Sequence, residues 1–277
     1  MKARYAAAVA VALVTQATFL SGAAVAQETT TTTANVGARA RYFPAIVRGN
    51  HWFIRQSVTT GVSTSDFFFG DVGDQKLLCD WNGDGTRTPG VRRGITFYLR
   101  DGAIPNGTGA ASDRPGLNFG NLGDVPICGD WDGDGDETIG VVRNDAGTLK
   151  WFMHNSNVPG ESVRSPVFFF GSAGDTPIVG NWDGAEGANP GVRRGISFLL
   201  RNSNTNGVAD QRIDFGDPTD VPIVGNWDGA QGDNLGVFRG GTWFLRNSNN
   251  PANPSLLVPP FGFGQGGDVP RVAAYPS

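Results

Sequence analysis

The sequence predicts an all-β fold, a five-bladed β-propeller with four-stranded blades, and three recurring features lead to this prediction. An aromatic residue followed by glycine recurs at intervals of 50, 51, 45 and 48 residues: Phe69-Gly70, Phe119-Gly120, Phe170-Gly171, Phe215-Gly216 and Phe263-Gly264. An aromatic-aliphatic segment recurs from His51, Thr96, Lys150, Ser197 and Thr242. An arginine ends the strand before it: Arg48, Arg93, Arg143, Arg194 and Arg239. This period is typical of a propeller blade, and a β-solenoid or sandwich is the alternative.

Each unit contains four predicted strands, which we label A to D in chain order. Strand A resembles PIVGNW, strand B is the GVxR segment, strand C is the WFLR segment, and strand D ends in the aromatic-Gly pair. The propeller begins with strand B, from Pro44 to Arg48, and ends with strand A, from Val269 to Tyr275. We therefore expect the C-terminal strand to pair with the N-terminal strands and complete one blade, because an unpaired sheet edge invites aggregation.

The first 40 residues are expected to lie outside the propeller. Lys2 and Arg4 precede the apolar stretch Ala6–Val14, and Ala24-Val25-Ala26 is a small-x-small cleavage pattern, so we predict a signal peptide over residues 1–26. The alternative is an uncleaved anchor. Residues 27–40 form a Thr-rich linker with few apolar residues, and residues 41–277 form the propeller. We expect a secreted, extracellular or cell-envelope protein, without a membrane span once the signal is cleaved.

The charge pattern excludes one class of partner. The chain of 277 residues has a net charge of −4 and its basic residues form no stripe, so nucleic acid is not an expected ligand. We expect a monomer.

The combination of motifs resembles a known repeat family. An aromatic-Gly pair, then GDxP, GDWDGDG and GVxR, as in the stretch from Gly123 to Arg143, is similar to the FG-GAP and VCBS-type repeats of integrin-α-like β-propellers, in a bacterial secreted style. The resemblance covers roughly Ala40 to Ser277. It implies that the loops between strands A and B bind Ca²⁺ and that a further acidic residue stands at the ninth loop position.

Two of these loops carry oxygen ligands at alternating positions, which suits a hard cation such as Ca²⁺. The residues are Asp130, Asp132 and Asp134 in one loop, and Asp80, Asn82 and Asp84 in another. The ninth position holds Thr138 and Thr88, respectively, instead of an acid, and we include both threonines among the candidate ligands. The loops that begin at Asn181/Asp183 and Asn226/Asp228 have Ala185 and Ala230 at the fifth position, and we assign no metal to them. The alternative is that all four loops are Asx-type turns.

Five aspartates precede strand A at equivalent positions, and antiparallel pairing brings each beside the arginine that ends strand B. We predict structural ion pairs between them, namely Asp74–Arg93, Asp124–Arg143 and Asp175–Arg194, with Asp220 and Asp268 in the same role. The alternative is a ring of catalytic carboxylates. Catalysis by two acids requires unlike environments, which five equivalent pairs do not provide.

Other repeated residues have structural interpretations. The tryptophans of the loops and of strand C are predicted to pack between blades rather than to serve as sugar platforms: Trp81, Trp131, Trp182, Trp227, Trp52, Trp151 and Trp243. A second series at the end of strand C is expected in surface pairs: Arg55, Arg100, His154, Arg201 and Arg246. Cys79 and Cys128 lie on successive A strands with a one-residue offset, so they face each other if the blade order is favourable. A disulfide is then possible in an exported protein.

With this strand order, the long polar C–D loops are expected on the same face as the A–B loops, and loops on a rigid scaffold often carry recognition. The sequence contains no GxSxG, HExxH or phosphate-binding glycine loop. We therefore predict a non-enzymatic binding module for an extracellular glycan or protein, with Ca²⁺ as a stabilising cofactor. The alternatives are a glycan-active hydrolase with its site at the channel mouth, and a structural cell-envelope protein.

Overall fold

A computed structural model describes residues 41–160, 167–185, 187–230, 232–252, 256 and 258–276. The predicted signal peptide and Thr-rich linker lie outside these residues. The described strands form five sheets, antiparallel except for one added strand, and the innermost strand of each sheet contacts the innermost strands of its two neighbours around a ring. The predicted five-bladed β-propeller is confirmed. Within the described residues, no helix is both long and apolar enough to span a lipid bilayer.

Twenty of the twenty-one described strands form the four-stranded blades, and the first strand named in each blade is the innermost. Blade 1 contains β21 (Val269–Tyr275), β1 (Arg41–Arg48), β2 (His51–Ile54) and β3 (Ser65–Phe69). Blade 2 contains β4 (Gln75–Cys79), β5 (Thr88–Arg93), β6 (Thr96–Leu99) and β8 (Leu117–Asn118). Blade 3 contains β9 (Val125–Gly129), β10 (Thr138–Asp145), β11 (Thr148–Met153) and β12 (Phe168–Ser172). Blade 4 contains β13 (Thr176–Gly180), β14 (Asn189–Arg194), β15 (Ser197–Leu200) and β16 (Gln211–Asp214). Blade 5 contains β17 (Val221–Gly225), β18 (Asn234–Arg239), β19 (Thr242–Leu245) and β20 (Phe261–Gly262).

Blade 1 is closed by the two ends of the chain, as predicted. The C-terminal strand β21 pairs antiparallel with β1 over seven residue pairs, from Arg41 opposite Tyr275 to Val47 opposite Val269. The N-terminal strand is three residues longer than the predicted Pro44–Arg48, because Arg41 to Phe43 also pair with β21.

Blade 1 also carries a fifth strand that the repeat did not predict. Strand β7 (Thr108–Ala110) belongs to the C–D loop of blade 2 and pairs in parallel with β3. The side chain of Asn106 accepts a hydrogen bond from the backbone N–H of Asp66 at 2.6 Å beside this pairing. This loop is therefore anchored to two blades.

The core lies between the blades, and the third strand of each blade shows why these segments form strands. In β2, β6, β15 and β19 the burial alternates along four residues, which is the period-two pattern of a strand. Trp52, Trp151 and Trp243 are fully buried, and each indole N–H donates to the carbonyl of the aromatic residue in the aromatic-Gly pair. Among the loop tryptophans, Trp81, Trp131 and Trp182 are buried too. The tryptophans thus pack inside the ring, as expected.

The five predicted Asp–Arg pairs are present, and each closes the turn that precedes an innermost strand. Arg143 donates to both oxygens of Asp124 at 2.8 and 2.9 Å, and the backbone N–H of Asn121 donates to the same carboxylate at 2.7 Å. The equivalent pairs are Arg93 with Asp74, Arg194 with Asp175, Arg239 with Asp220, and Arg48 with Asp268. All five aspartates are buried. The last pair joins the two ends of the chain within blade 1.

The glycine of the aromatic-Gly pair belongs to the same turn. Gly120 has φ +77°, and a Cβ atom there would lie 2.8 Å from Oδ2 of Asp124 and 2.9 Å from Val141. Both the backbone angle and the close approach of the carboxylate therefore require glycine. The recurrence of aromatic-Gly and of aspartate four residues after that glycine is thus one structural feature rather than two.

Blades 2 and 3 are linked covalently. Cys79 ends β4, Cys128 lies in β9, and the two form a disulfide with a Cα–Cα separation of 6.6 Å. This separation lies inside the range that disulfides allow. The one-residue offset in the repeat brings the two side chains together because adjacent blades meet front to back.

Candidate functional site

One face of the propeller carries the A–B and C–D loops as far as the structure describes them, and we call it the loop face. The A–B loops follow the innermost strands and touch one another in sequence around the ring. The backbone N–H of Glu137 donates to the carbonyl of Asp80 at 2.7 Å, that of Ala188 to Asp130 at 2.5 Å, and that of Asp233 to Asn181 at 2.6 Å. The A–B loops therefore form a continuous layer around one mouth of the channel.

The C–D loops of blades 1 and 4 are held from inside by the second arginine series. Arg55 donates to the backbone carbonyls of Thr59, Thr60 and Val62. Arg201 makes the same contacts with Thr205, Asn206 and Val208.

The rest of this series also contacts its own loops. Arg100 donates to Ala103 and Ala111 carbonyls, and Arg246 donates to those of Ser248 and Asn250. His154 is hydrogen-bonded through Nδ1 to the carbonyl of Ser156 at 2.7 Å. The expected surface pairs are replaced at Arg55 and Arg201 by hydrogen bonds to loop carbonyls. Arg100 combines such bonds with a carboxylate 3.7 Å away, that of Asp113.

A four-residue motif links three of these C–D loops to the A–B layer by hydrogen bonds, and it was not predicted from the sequence. The sequences HNSN from His154, RNSN from Arg201 and RNSN from Arg246 end the third strands of blades 3, 4 and 5. Their last asparagines donate to the A–B loop of the same blade: Asn157 to the Glu137 carbonyl at 2.9 Å, Asn204 to Ala188 at 3.1 Å, and Asn249 to Asp233 at 2.6 Å. The threefold repetition was the available signal.

The loop from Asp130 to Asp136 brings several carboxylates together. One carboxylate oxygen from each of Asp130, Asp132 and Asp134 lies within 4.8 Å of the other two. Asp130 accepts hydrogen bonds from the backbone N–H groups of Gly133 and Gly135, at 2.7 and 3.2 Å. Asp132 accepts one from Nδ2 of Asn155 at 3.1 Å. The predicted candidate ligands of this loop therefore converge.

A fourth carboxylate, Asp136, extends the alternation and was not predicted as a site residue. Burial, together with its hydrogen bond to Asp134 and the nearby negative charges, raises the pKa of Asp136 to about 7. Burial and the neighbouring acids likewise raise the pKa values of Asp130 and Asp132. The hydrogen bond from Asp136 lowers the pKa of Asp134. Negative charge is thus disfavoured at three of the four acids and is favoured at Asp134, and such a donor set fits a divalent cation.

The loop from Asp80 is satisfied internally. Nδ2 of Asn82 donates to Asp84 at 3.1 Å, and Asp80 accepts backbone N–H bonds from Asp84 and Gly85 at 3.1 and 2.8 Å. Asn82 supplies an amide where the loop from Asp130 has a third carboxylate. This loop therefore fits Ca²⁺ less well than the loop from Asp130.

The ninth-position threonines lie in strands rather than in the loops. Thr88 begins β5 and Thr138 begins β10, and both are buried. The Thr138 hydroxyl donates to the carbonyl of Gly129 at 3.5 Å. Both threonines pair with the innermost strand of their blade, so the structure does not place them in the loop as ligands. The additional acid of the loop from Asp130 is Asp136.

The two remaining A–B loops are Asx-type turns. Nδ2 of Asn181 donates to the carbonyl of Ala185, and Nδ2 of Asn226 donates to that of Ala230 at 2.7 Å. In each loop the backbone N–H of the alanine donates to the aspartate two residues earlier, at 3.0 Å for Asp183 and 2.9 Å for Asp228. The side chains close these turns without a cation.

The channel mouth inside the A–B layer holds four unlike residues at equivalent positions of four blades: Tyr42, Arg87, Glu137 and Asp233. Arg87 pairs with both carboxylate oxygens of Glu137, at 2.5 and 3.1 Å, and lies over the ring of Tyr42 at 4.9 Å. Glu137 also accepts the backbone N–H of Asp80 at 2.7 Å. Asp233 accepts that of Asn181 at 2.9 Å, and burial raises its pKa. Both acids therefore join one blade to the next.

The chain matches no family model, no curated protein and no solved structure. The assignment as a β-propeller therefore rests on the architecture described above. The resemblance to FG-GAP and VCBS-type repeats stays a prediction.

Proposed function

We propose that this protein is a secreted, non-enzymatic binding module that recognises an extracellular glycan or protein through the loop face. The observation that carries the proposal is the anchoring of the C–D loops. Each described loop is fixed by the arginine or histidine at the end of its strand C, and three are also fastened to the A–B layer. Rigid loops lose little conformational entropy on binding, which favours affinity.

The composition of the loop face suits recognition. The loops expose Asn, Ser and Thr side chains, and two of them also present an apolar residue at equivalent tips, Val62 and Val208, each 82% exposed. Apolar contacts surrounded by polar groups are the usual anatomy of a binding interface. The acids at the channel mouth give hydrolysis no comparable support, because Glu137 and Asp233 are engaged with Arg87 and with backbone N–H groups.

We expect the protein to bind ligands on an array of glycans, cell-wall fractions and extracellular proteins. The double variant Val62→Asp/Val208→Asp is expected to weaken binding by about tenfold or more, because it places charge inside the contact surface. The matched control is Val72→Asp/Leu122→Asp, which changes equally exposed aliphatic residues, 73% and 78%, in the turns of the opposite face. Equal loss in both variants, or loss only in the control, would contradict recognition through the loop face.

We further propose that Ca²⁺ binds in the loop face on Asp130, Asp132 and Asp134, with Asp136 beside them. The bound ion would neutralise the mutual repulsion of these acids and stabilise the loop. We expect saturable Ca²⁺ binding by titration calorimetry and affinity about tenfold lower in Asp132→Asn. The matched control is Asp183→Asn, at the equivalent position of an Asx-type turn. Absence of binding at millimolar Ca²⁺, or an equal effect of both variants, would exclude this site.

A further inference from the structure

The central channel contains a cavity of about 300 Å³ lined by the five innermost strands. At two positions of these strands, four of the five blades have an apolar residue and the fifth has a cationic one. The second residue of the strand is proline in four blades and lysine in blade 2: Pro126, Pro177, Pro222, Pro270 and Lys76. The third is Leu or Ile in four blades and arginine in blade 1: Leu77, Ile127, Ile178, Ile223 and Arg271. The two exceptions lie on neighbouring strands, β4 and β21.

Arg271 lies in the channel wall without a carboxylate partner among the described residues. Its Nε and Nη2 donate to the carbonyl of Lys76 at 3.0 and 2.7 Å, and Nη1 donates to that of Pro270 at 2.7 Å. A guanidinium has five N–H groups, so these contacts use three of them. Burial alone lowers the pKa of Arg271 to about 10. Arg271 is half-buried, and a cation held only by neutral carbonyls has an uncompensated charge.

Lys76 adds a second positive charge beside Arg271. It is 5% exposed, and its ammonium donates to the carbonyl of Asp71. Burial lowers its pKa, which the carboxylates of Asp74 and Asp71 oppose. Both of those carboxylates also pair with Arg93, at 2.8 and 2.6 Å. The acids nearest to Lys76 are therefore already shared with another cation.

The charges that line the cavity sum to a positive value in an acidic protein. The charged lining residues are Lys76, Arg87, Arg271 and Glu137, and Glu137 is paired with Arg87. Lys76 and Arg271 remain, which gives the lining residues two net positive charges, whereas the whole chain has a net charge of −4. Asp71 and Asp74, outside the lining, balance Lys76 and Arg93, so Arg271 is the uncompensated charge. Low-dielectric walls strengthen the field of such charges inside a channel.

The cavity is reached from the face opposite the loop face. The first residues of the innermost strands form the rim there, and Val125, Val221 and Val269 are 44%, 42% and 39% exposed. Lys76 lies one residue further along β4 than this rim level, and Arg271 lies two residues further along β21. The other mouth holds the Arg87–Glu137 pair and Tyr42. An anion that enters from the open rim therefore meets both cations.

We propose that the channel is a binding site for a small oxyanion, a carboxylate, sulfate or phosphate group, held by Arg271 and Lys76. The N–H groups of Arg271 that the carbonyls leave unused supply hydrogen bonds to the anion, and such charge-assisted bonds are the strong ones. The cavity volume matches the lower end of small-molecule sites. This site is separate from the loop face, so it does not depend on the function proposed for that face.

The test measures binding of sulfate, phosphate and acetate to the intact protein by titration calorimetry in a chloride buffer. We expect saturable binding of at least one anion, and a matching rise in melting temperature, because a ligand that binds only the folded state stabilises it. The variant Arg271→Ile introduces the residue of three other blades and is expected to weaken binding by about ten- to a hundredfold. Lys76→Pro, which introduces the residue of four other blades, should weaken it as well.

Two further variants keep the test decisive. Arg271→Gln retains hydrogen-bond donors but removes the charge, and it serves if Arg271→Ile does not fold. Arg212→Gln removes a charge that is exposed and paired with Asp214 outside the channel, and it should bind anions as the wild type does. The proposal is overturned if no anion binds at about 10 mM. It is overturned equally if anions stabilise the wild type and both Arg271 variants alike, which would indicate a general salt effect.

Discussion

Removal of residues 269–277 is expected to abolish the cooperative unfolding transition of the whole propeller. The deletion removes β21, which supplies seven residue pairs to β1 and buries Val272, Ala273 and Ala274. It also opens the ring between blades 1 and 5 and leaves the long strand β1 as an unpaired edge. Exposed edges of this kind template aggregation. The truncated chain should therefore show no sharp melt by circular dichroism and should elute as aggregates in size-exclusion chromatography.

The matched control removes only residues 276 and 277, which follow β21, and should melt like the wild type. A synthetic peptide that spans residues 268–277 should restore the melt of the truncated chain, since strand addition to a sheet edge is a known mode of peptide binding. An unchanged melting temperature in the truncated protein would contradict closure of the ring by β21.

Substitution of Asp124 by alanine is expected to destabilise the protein by about 3 kcal/mol, because it leaves a buried N–H and a guanidinium without their acceptor. The side chain is 2% exposed and accepts hydrogen bonds from Arg143 and from the backbone of Asn121. A loss of this size corresponds to a fall of roughly 10 °C in melting temperature for a domain of this length. Asp214→Ala is the control, since Asp214 pairs with Arg212 at the exposed surface, and no measurable change is expected.

The same carboxylates predict how stability depends on pH. Burial opposes ionisation of Asp74 and Asp124. The hydrogen bonds from Arg93 and Arg143, the backbone N–H bonds and the nearby positive charges together outweigh it and hold both pKa values below the usual range. The hydrogen bond from Arg239 lowers the pKa of Asp220. A lowered pKa stabilises the folded state above the unfolded-state pKa, about 4. This stabilisation is lost as the pH falls through the folded-state pKa values.

The melting temperature should therefore drop below about pH 4, and the drop should be shallower in Asp124→Ala, which has one such group fewer. A melting temperature that stays constant from pH 5 to pH 2 in the wild type would contradict a stabilising role for these pairs. Melting curves recorded between pH 5 and pH 2 bracket the ordinary carboxyl pKa of about 4.

Most of the fold could be predicted because every blade forms the same turn before its innermost strand with the same residue types. The aromatic-Gly pair, Asp124 and Arg143 are hydrogen-bonded within one turn, so their spacing in the sequence reflects a local geometry that recurs five times. The disulfide could be anticipated because a one-residue offset between Cys79 and Cys128 places their side chains on opposite faces of equivalent strands, and these faces meet between adjacent blades. Ring closure could be predicted because the propeller begins with a strand B and ends with a strand A, which together complete one blade.

The remaining features depend on contacts between units, which a single repeat does not encode. Strand β7 forms because one C–D loop reaches the neighbouring blade, and no period predicts that. In the sequence, Arg271 is only an exception at a strand position that is otherwise Leu or Ile. Its contact with the carbonyl of Lys76 depends on the packing of β21 beside β4. Asp136 could have been predicted from the acidic alternation, which continues through the seventh loop position, whereas the family resemblance implies an acid at the ninth.

The way the chain closes its ring also determines how the molecule responds to tension. Arg41 and Tyr275 are opposite each other at the outer ends of β1 and β21, so the two ends of the propeller leave the same end of one antiparallel pair. A force that pulls these ends apart loads the backbone hydrogen bonds one at a time, as in a zipper, rather than all together in shear. The ring would open at this seam under low force, while a load applied within one blade would meet several strands at once.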